Sequence, residues 1–454
     1  MIVFAIVMAL GLKVFALEAY QIPTGSMQPN LMGMTKGSDG SAVSIHDRVL
    51  VDKVCFLVRD PVRWEVVVFR YPLATSNNYV KRLVGMPGEE LQIRYGDLYA
   101  RPLGTSEDFA ILRKPPRLQA SLWKKVWPVP GAEPDAHGFW DLNAGARWAS
   151  GEFRLEPQGA IAVRGNIRDV YNHGYPAGLW HRVKQGDGNE AVNDLEIAGT
   201  ATPESGAGAL RVEIVSGQRQ FALILDVARG RIVLEGSGGA AFEQSMRLQA
   251  GEPVRFELGF WDHQVRLRVK ADAGKAEHVQ ALDLEPEPAL SNRVRCAAEG
   301  GAWRLEPPTV SRDIYYLQPR EARSGREESE PFSIPAGHYF MMGDNTENSL
   351  DSRDWVARVI QTTQPVGGRT QFRGDQLDGG SDPFFNNPRW NRMRTTMTLR
   401  DEWGNLHAIP SSQIASNLPE PAPLVPRAYI LGKAMAVFLP IPPLSPVFRL
   451  KLVR

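Results

Sequence analysis

Two segments of the chain carry side chains that could perform hydrolysis together. Ser26 lies in IPTGSMQPNL, and Lys81 lies in the strand-like YVKRLVGMPGEEL. A serine hydroxyl is a poor nucleophile near neutral pH and needs a base beside it. A lysine can be that base only if its pKa falls by several units, which burial among apolar neighbours such as Val80 and Leu83 achieves. Taken singly, however, Ser26 also fits an ordinary turn and Lys81 a solvated strand position.

A third segment, GHYFMMGDNTENSLDSRDW, is dense in hydrogen-bonding side chains that follow the apolar strand YFMM. Such a density suits residues that orient a catalytic group, although a polar surface loop would have a similar composition. Its candidate residues are Asp344, Asn345, Asn348, Ser349, Asp351, Ser352, Arg353 and Asp354.

Taken in this order, the three segments resemble the signature boxes of type I signal peptidases, membrane enzymes that remove signal peptides from exported proteins. IPTGSMQPNL resembles the serine box, YVKRLVGMPGEEL the lysine box and GDNTENSLDSR the last box. Between the first two, RVLVDKVCFLVRDPVRWEVVVFRYP is similar to the connecting strand segment of the family. The resemblance covers about residues 5–100, 333–356 and 424–440, and no other part of the chain.

The resemblance implies a catalytic dyad in which Ser26 is the nucleophile and Lys81 the general base. It also implies that the Thr24 hydroxyl and the Ser26 backbone N–H form the oxyanion hole, where fixed donors stabilise developing negative charge. The expected substrates are the signal peptides of preproteins, cleaved after small residues at −1 and −3 through an acyl-enzyme. No cofactor and no metal are expected.

The resemblance further assigns supporting roles to the third segment. Ser349 is expected to form a hydrogen bond with Lys81 and orient it, and Asp351 and Arg353 are expected to form an ion pair. The residues expected to shape the loop are Gly343, Asp344 and Asn345.

The N-terminal segment MIVFAIVMALGLKVFAL is apolar except for Lys13. It is short for a membrane span, which needs roughly 20 apolar residues. A cleaved signal peptide is disfavoured because no small-residue cleavage site follows. We therefore predict an uncleaved anchor at residues 1–18 that contacts membrane lipid as a single span, with the catalytic domain on the exoplasmic or periplasmic side. A buried core helix is the alternative.

A long insert separates the second and third segments. Leu210, Val212 and Ile214 alternate with polar residues, and further strand-like runs follow with turn signals between them. This pattern is typical of an antiparallel sandwich, here similar in spacing to concanavalin-A and laminin-G domains. Such folds often bind glycans, so aromatic and polar residues of the insert could line a carbohydrate surface. Alternatively, these aromatics are core residues and the domain is a spacer. The residues concerned are Trp140, Tyr171, Asn172, His173 and Trp180.

The chain departs from the family again after the third segment. Family members continue with Trp-Gly and a strand that ends in Gly-x-Ala, whereas this chain continues with VARVIQTT and reaches VPRAYILGKA only much later. We expect a second insertion, at residues 357–424, in which TTMTLRDEWG is the only strand-like piece. The strand through Ile430 to Phe438 should still close the catalytic sheet.

These predictions add up to a mostly β protein: a signal-peptidase-type antiparallel core with an N-terminal membrane helix and an inserted concanavalin-A/laminin-G-like β-sandwich. Along the chain we expect an anchor (1–18), a first core segment (19–104), a connection (105–138), the sandwich (139–316), a second core segment (317–356), the second insertion (357–424), and the closing strand of the core with the tail (425–454).

Composition limits the alternatives. The net charge of +1 gives no reason to expect a nucleic-acid partner, and 42 glycines with 34 prolines favour short strands and many turns. The two cysteines, Cys55 and Cys296, are too few for a disulfide framework and are expected to be free and buried.

Three other functions compete with the peptidase. The penicillin-binding pattern requires a lysine three residues after the serine, where this chain has Pro29. A self-cleaving repressor would share the Ser–Lys chemistry, but the apolar N-terminus and the lack of a DNA-binding segment disfavour it. The third alternative is an inactive, membrane-tethered binding protein that acts through a lectin-like sandwich.

Overall fold

The computed structural model describes nine ranges of the chain: 17–37, 42–131, 133–177, 179–183, 188–288, 290–320, 330–378, 385–440 and 448–454. The predicted membrane anchor falls outside these ranges except for Leu17 and Glu18, which begin the first strand. Within them, no helix is both long enough and apolar enough to cross a membrane.

The first hundred or so described residues form short strands and two short helices, in keeping with their many turn residues. The elements are β1 (Leu17–Gln21), β2 (Met34–Lys36), β3 (Ala42–Ser44), β4 (Arg48–Asp52), α1 (Cys55–Val58), β5 (Val66–Tyr71), β6 (Ala74–Gly85), β7 (Glu89–Arg94), β8 (Asp97–Pro102), β9 (Ala110–Ile111), α2 (Pro116–Leu122) and β10 (Lys124–Trp127).

The insert follows with one helical turn and a long series of strands. Its elements are α3 (Ala136–Phe139), β11 (Trp140–Leu142), β12 (Ala146–Ala149), β13 (Glu152–Leu155), β14 (Ala160–Val163), β15 (Leu195–Pro203), β16 (Ala209–Ser216), β17 (Arg219–Asp226), β18 (Arg231–Gly236), β19 (Ala241–Ser245), β20 (Val254–Trp261), β21 (Gln264–Ala271), β22 (Gly274–Ala281), β23 (Asn292–Glu299), β24 (Trp303–Leu305) and β25 (Thr309–Arg312).

The remainder of the chain is also built from strands. Its elements are β26 (Phe332–Ile334), β27 (His338–Met342), β28 (Val356–Val366), β29 (Arg369–Asp375), β30 (Arg389–Trp390), β31 (Thr396–Arg400), β32 (Leu406–Pro410), β33 (Ile414–Pro421), β34 (Leu424–Pro426), β35 (Ile430–Leu439) and β36 (Lys451–Leu452). Short 3₁₀ turns occur at Trp180–Arg182, Ser237–Gly239, Thr346–Asn348, Ser411–Gln413 and Arg427–Tyr429.

An eight-stranded antiparallel sheet carries the third segment and the lysine segment. Its order is β1-β4-β35-β5-β6-β27-β34, with β36 also paired to β35. The strand predicted to close the sheet is confirmed, because β35 lies between β4 and β5 and pairs with both. A smaller sheet of order β26-β7-β8-β9 contains the antiparallel hairpin of β7 and β8, in which Arg94 pairs with Asp97 across the turn.

The apolar run in β5 reflects its place in the middle of this sheet. Val67 and Phe69 pack into one hydrophobic cluster with Met341, while Val66 and Val68 pack into another on the opposite side. Because both faces of β5 are covered, polar residues are not required at alternate positions. This double burial creates the apolar surroundings in which the neighbouring strand β6 holds its lysine.

The insert folds as two packed antiparallel sheets, so the predicted sandwich is confirmed. One sheet has the order β12-β13-β24-β15-β20-β21-β22, with β25 paired to β15 and β10 paired to β25. The other has the order β11-β14-β23-β16-β17-β18-β19. The alternating Leu210, Val212 and Ile214 are fully buried in the core between the sheets. Phe221 stacks on Phe260 across that core, with ring centroids 4.5 Å apart.

The residues suggested for a carbohydrate surface are mostly interior. Trp140, Asn172, His173 and Trp180 are buried, and Tyr171 is half-buried. Trp140 packs edge-on against a second tryptophan and a phenylalanine in the sandwich core, and the His173 ring stacks on Trp180. The burial of most of these side chains confirms the interpretation of the aromatic residues as core residues and does not favour the alternative that they line a carbohydrate surface.

The second insertion contains more strands than its sequence indicated. β28 pairs with β29 and β33, while β30, β31 and β32 form another three-stranded sheet. The prediction that TTMTLRDEWG is its only strand-like piece is wrong. Most of β33 is exposed, so its sequence, IASNLPEP, lacks the alternation by which a half-buried strand is identified. Cys55 and Cys296 are free as predicted, although Cys55 is only half-buried.

Candidate active site

Lys81 occupies a buried position on β6, opposite Val67 of β5. Burial lowers the pKa of Lys81 to about 8, and the nearby charges of Asp351 and Arg353 act on it in opposite directions. The Lys81 Nζ atom donates a hydrogen bond to Ser349 Oγ at 3.0 Å, and Ser349 is fully buried. The lysine thus has a neutral hydroxyl as its partner and a pKa close to the range in which a base works.

Ser26 is half-buried in the loop that follows β1. Its backbone carbonyl accepts a hydrogen bond from the Asn345 backbone N–H at 3.1 Å. The Asn345 side chain also donates to the Gly25 carbonyl at 3.0 Å. Asn345 therefore connects the serine loop to the loop after β27 through hydrogen bonds to two consecutive carbonyls, those of Gly25 and Ser26.

The serine loop and Ser349 both approach the backbone of Gly343, and Ser349 in turn contacts Lys81. A Cβ atom at this position would collide with the Ser26 carbonyl oxygen and with Ser349 Oγ. Glycine is required here because two other parts of the site approach its backbone, which only a residue without a side chain permits. The structure thus brings Ser26, Ser349 and Lys81 to one place.

Asp351 and Arg353 form a buried, two-pronged ion pair. Arg353 Nε and Nη2 each donate to the Asp351 carboxylate at 2.8 Å, and Asp351 also accepts the Gly343 N–H at 3.0 Å. Burial alone would raise the pKa of Asp351, but Arg353 outweighs it, so the carboxyl pKa is lowered. Arg353 further donates to the carbonyls of Leu317 and Thr346. The pair holds the loop after β27 in shape.

Asp344 forms a second buried ion pair, with a residue that sequence reasoning missed. Arg82 Nε and Nη2 donate to the two Asp344 carboxylate oxygens at 2.7 Å each. Asn30 donates to the same carboxylate at 3.0 Å from the serine loop. Burial acts to raise the Asp344 pKa, but Arg82 outweighs it and the pKa is lowered. The sequence feature that could have identified Arg82 as part of the site is its position directly after Lys81.

Lys124 and Tyr175, which lie between the lysine segment and the third segment in the sequence, also contact residues of the site. Lys124 Nζ, buried on β10, donates to the Asp344 backbone carbonyl at 2.7 Å. Burial, together with Arg312, lowers the Lys124 pKa to about 7. The Tyr175 hydroxyl donates to the Gln28 side-chain carbonyl in the serine loop. Nothing in the sequence motifs pointed to either contact.

Thr24 is exposed, two residues before Ser26 in the same loop. Its backbone is fixed by a close approach of Gly33, where a Cβ atom would collide with the Thr24 carbonyl oxygen. Its role in an oxyanion hole stays a prediction.

The serine–lysine site has the components of a hydrolase that works by nucleophilic attack. It contains a half-buried serine, a buried amine of lowered pKa and two buried ion pairs that fix the loops. A base with a pKa of about 8 is partly neutral near physiological pH, when it can accept a proton from a hydroxyl.

Comparison with known proteins finds that this chain is similar to signal peptidases. Residues 1–126 and 303–373 match the family model for signal peptidase, peptidase S26. A probable signal peptidase I-2 from Synechocystis sp. is 31% identical over 110 residues, which cover 23% of this chain and 45% of that protein. Signal peptidase I from Pseudomonas aeruginosa is 30% identical over 171 residues, covering 32% of this chain and 55% of that protein. The matches thus span about half the length of these relatives, and the resemblance to type I signal peptidases is confirmed.

Solved structures similar to the chain include carbohydrate-binding module CBM66 from Bacillus subtilis. It is 10% identical with a TM-score of 0.26, over 38% of this chain and 94% of the module.

Proposed function

Because the segments that hold the serine–lysine site match the signal peptidase family, we propose that this protein is a membrane-bound type I signal peptidase that cleaves preproteins with Ser26 and Lys81. The observation that carries the proposal is the buried hydrogen bond from Lys81 Nζ to Ser349 Oγ, 3.0 Å long, beside the Ser26 loop. This bond orients the lysine side chain, which forms no ion pair with a carboxylate in the described part of the chain.

In the proposed reaction, neutral Lys81 takes the proton from the Ser26 hydroxyl as its oxygen attacks the scissile carbonyl. The tetrahedral oxyanion is stabilised by the Ser26 N–H and the Thr24 hydroxyl, which are donors fixed by the loop. Lys81 then gives its proton to the leaving amine, and an ester to Ser26 remains. Water, deprotonated by Lys81, attacks this ester and releases the signal peptide, and Lys81 returns the proton to Ser26.

The supporting residues give this chemistry its geometry. Asp351 is already neutralised by Arg353, and Asp344 by Arg82. Neither carboxylate is therefore free to hold a proton on Lys81, so the lysine can lose it near neutral pH. Ser349 keeps Lys81 from taking other side-chain conformations.

The proposed substrates are signal peptides with small residues at −1 and −3. An anchor at residues 1–18 would hold the site near the bilayer, where the apolar part of a signal peptide also lies. The rival function, a binding protein acting through a lectin-like sandwich, is not favoured because most of the residues suggested for a glycan surface are buried.

The test is cleavage of a preprotein with an Ala-x-Ala site by the detergent-purified full-length protein. We expect product from the wild type and from Ser333→Ala, whose serine is exposed on β26, and a rate for Ser26→Ala lower by at least about a thousandfold. Equal cleavage by wild type and Ser26→Ala would overturn the assignment of the nucleophile. Absence of cleavage by a folded wild-type protein would overturn the proposed activity.

A further inference from the structure

A buried cluster of aspartates lies where β8 meets the sandwich. Asp97 begins β8, whereas Asp194 directly precedes β15 and Asp262 lies in the turn between β20 and β21. One carboxylate oxygen from each residue lies within 4.8 Å of the other two. Each of the three residues is less than a tenth exposed. Three side chains from distant parts of the sequence therefore converge on one interior point.

The negative charge of this cluster exceeds the positive charge that contacts it. The Lys114 Nζ atom lies 2.5 Å from Asp262 and 2.9 Å from Asp313, a fourth buried aspartate. No ion pair to the carboxylates of Asp97 or Asp194 is found among the described residues. Buried carboxylates without a counter-charge are costly, so they must bind either protons or a cation.

Unused oxygen atoms point to a cation. Asp194 Oδ2 accepts the Asp262 backbone N–H at 3.0 Å, but Asp194 Oδ1 is buried and has no hydrogen-bond partner in the described part of the chain. Asp97, Asp194 and Asp313 line a small, partly open cavity. A buried, unpartnered carboxylate oxygen at a cavity is a free ligand atom.

We propose that Asp97, Asp194 and Asp262 bind a divalent cation of the calcium type. Two oxygens that each lie roughly 2.3–2.6 Å from one Ca²⁺ can be at most about 5 Å apart, and the three carboxylates meet this limit. The donors are hard carboxylate oxygens without histidine or cysteine, which suits Ca²⁺ better than Zn²⁺. The ion would join β8 to two sandwich strands and so fix the insert against the strands that follow the lysine segment.

Protons are the competing explanation. Burial, with the neighbouring carboxylates, raises the pKa of Asp97 to about 8 and that of Asp194 well above its ordinary value. A cluster that is satisfied by protons alone would not respond to metal, and neutralising one of its carboxylates would stabilise it.

The experiment is thermal unfolding and calorimetric titration of the full-length, detergent-purified protein with EDTA, CaCl₂ or MgCl₂. We expect saturating CaCl₂ to raise the unfolding midpoint by about 5 °C relative to EDTA, with MgCl₂ less effective. Asp97→Asn and Asp194→Asn should each weaken Ca²⁺ binding at least about tenfold. In both variants, CaCl₂ should no longer raise the unfolding midpoint. The matched control is Asp141→Asn, which changes an exposed aspartate of the insert and should behave as wild type.

Two results would overturn the proposal. In the first, the wild-type protein binds no Ca²⁺ in the titration, and Asp97→Asn is more stable than the wild type in EDTA. This outcome is expected if the carboxylates share protons instead of a cation. The other is an equal response to Ca²⁺ by wild type and both variants, which would place the ion elsewhere. If one variant fails to fold, the second variant and the wild-type titration still decide. Neither readout depends on peptidase activity.

Discussion

Lys81 in the serine–lysine site and Lys114 beside the aspartate cluster are both buried, yet their surroundings shift their pKa values in opposite directions. Burial lowers the pKa of Lys81 to about 8. Burial also acts to lower the pKa of Lys114, but Asp262 and Asp313 outweigh it and raise that pKa well above its ordinary value. Burial alone therefore does not decide whether a lysine is neutral enough to react.

The difference lies in whether the nearby carboxylate already has a cation of its own. Asp351 acts on Lys81 but is held in two hydrogen bonds by Arg353, whereas Asp262 and Asp313 contact Lys114 directly. An arginine cannot give up its proton in a protein, so Arg353 neutralises Asp351 at every working pH. The arginine thus keeps Asp351 from raising the pKa of Lys81 in the way that Asp262 and Asp313 raise the pKa of Lys114.

The largest expected effect comes from Lys81→Met. The cleavage rate should fall by at least about a thousandfold, because no base remains for Ser26. The free energy of unfolding should not fall, since a pKa drop from 10.5 to about 8 corresponds to about 3 kcal/mol of unfavourable charging that methionine avoids. Preprotein cleavage and urea unfolding measure the two quantities. A variant that loses both activity and stability would contradict the comparison.

Lys114→Met, in contrast, should destabilise the folded protein. Removing the cation leaves Asp262 and Asp313 buried without their positively charged partner, so the free energy of unfolding in EDTA should fall by about 3–5 kcal/mol. Urea unfolding measures it, and Lys275→Met, at an exposed position on β22, is the control. A Lys114→Met protein as stable as this control would show that the aspartates are neutral in the folded state.

The pH dependence of stability separates the two sites further. A lysine whose pKa is lowered by folding binds fewer protons in the folded state than in the unfolded state, so its contribution to stability rises with pH between about 8 and 10.5. Between pH 7.5 and 9.5, the wild type should gain about 2 kcal/mol relative to Lys81→Met. Urea unfolding of both proteins at the two pH values measures this. An unchanged difference would mean that Lys81 has an ordinary pKa.

The smallest effect is expected from Lys124→Met. Its hydrogen bond to the Asp344 carbonyl positions the loop after β27 without touching the reacting atoms, so its loss should lower kcat by roughly fivefold, the equivalent of about 1 kcal/mol. The pH at which kcat/KM levels off should stay that of the wild type. The neighbouring, half-buried Lys125 provides the control substitution, Lys125→Met. A shift of that pH would show that Lys124 acts on Lys81 electrostatically.

The predictability of the site from sequence depended on whether its residues belong to local motifs. Lys81, Ser349 and Asp351 lie in segments whose residue types and order are distinctive, and the structure places them together. Lys124 and Tyr175 lie in a stretch of the chain without such a motif. Their contacts depend on how the insert packs, which no short pattern encodes.

The presence or absence of a local sequence pattern also explains which strands were predicted correctly and which were missed. The strands of the sandwich were predictable because one face of each is buried, which imposes alternation on the sequence. β33 has no buried face, and its backbone pairing with β28 leaves no mark on residue types. The aspartate cluster was hidden for a third reason, since its members belong to three separate turns and strand ends that meet only in the folded chain.

The place of β35 in the eight-stranded sheet has a consequence for biosynthesis. β4 and β5 are not paired to one another but are joined through β35, a strand that leaves the ribosome only after the sandwich and the second insertion. The sandwich is composed of strands from one stretch of chain and can form as soon as that stretch is made, since domains generally fold as units during synthesis. The sheet that holds Lys81 cannot be completed until the late strand arrives. Translation therefore places completion of the eight-stranded sheet after that of the sandwich.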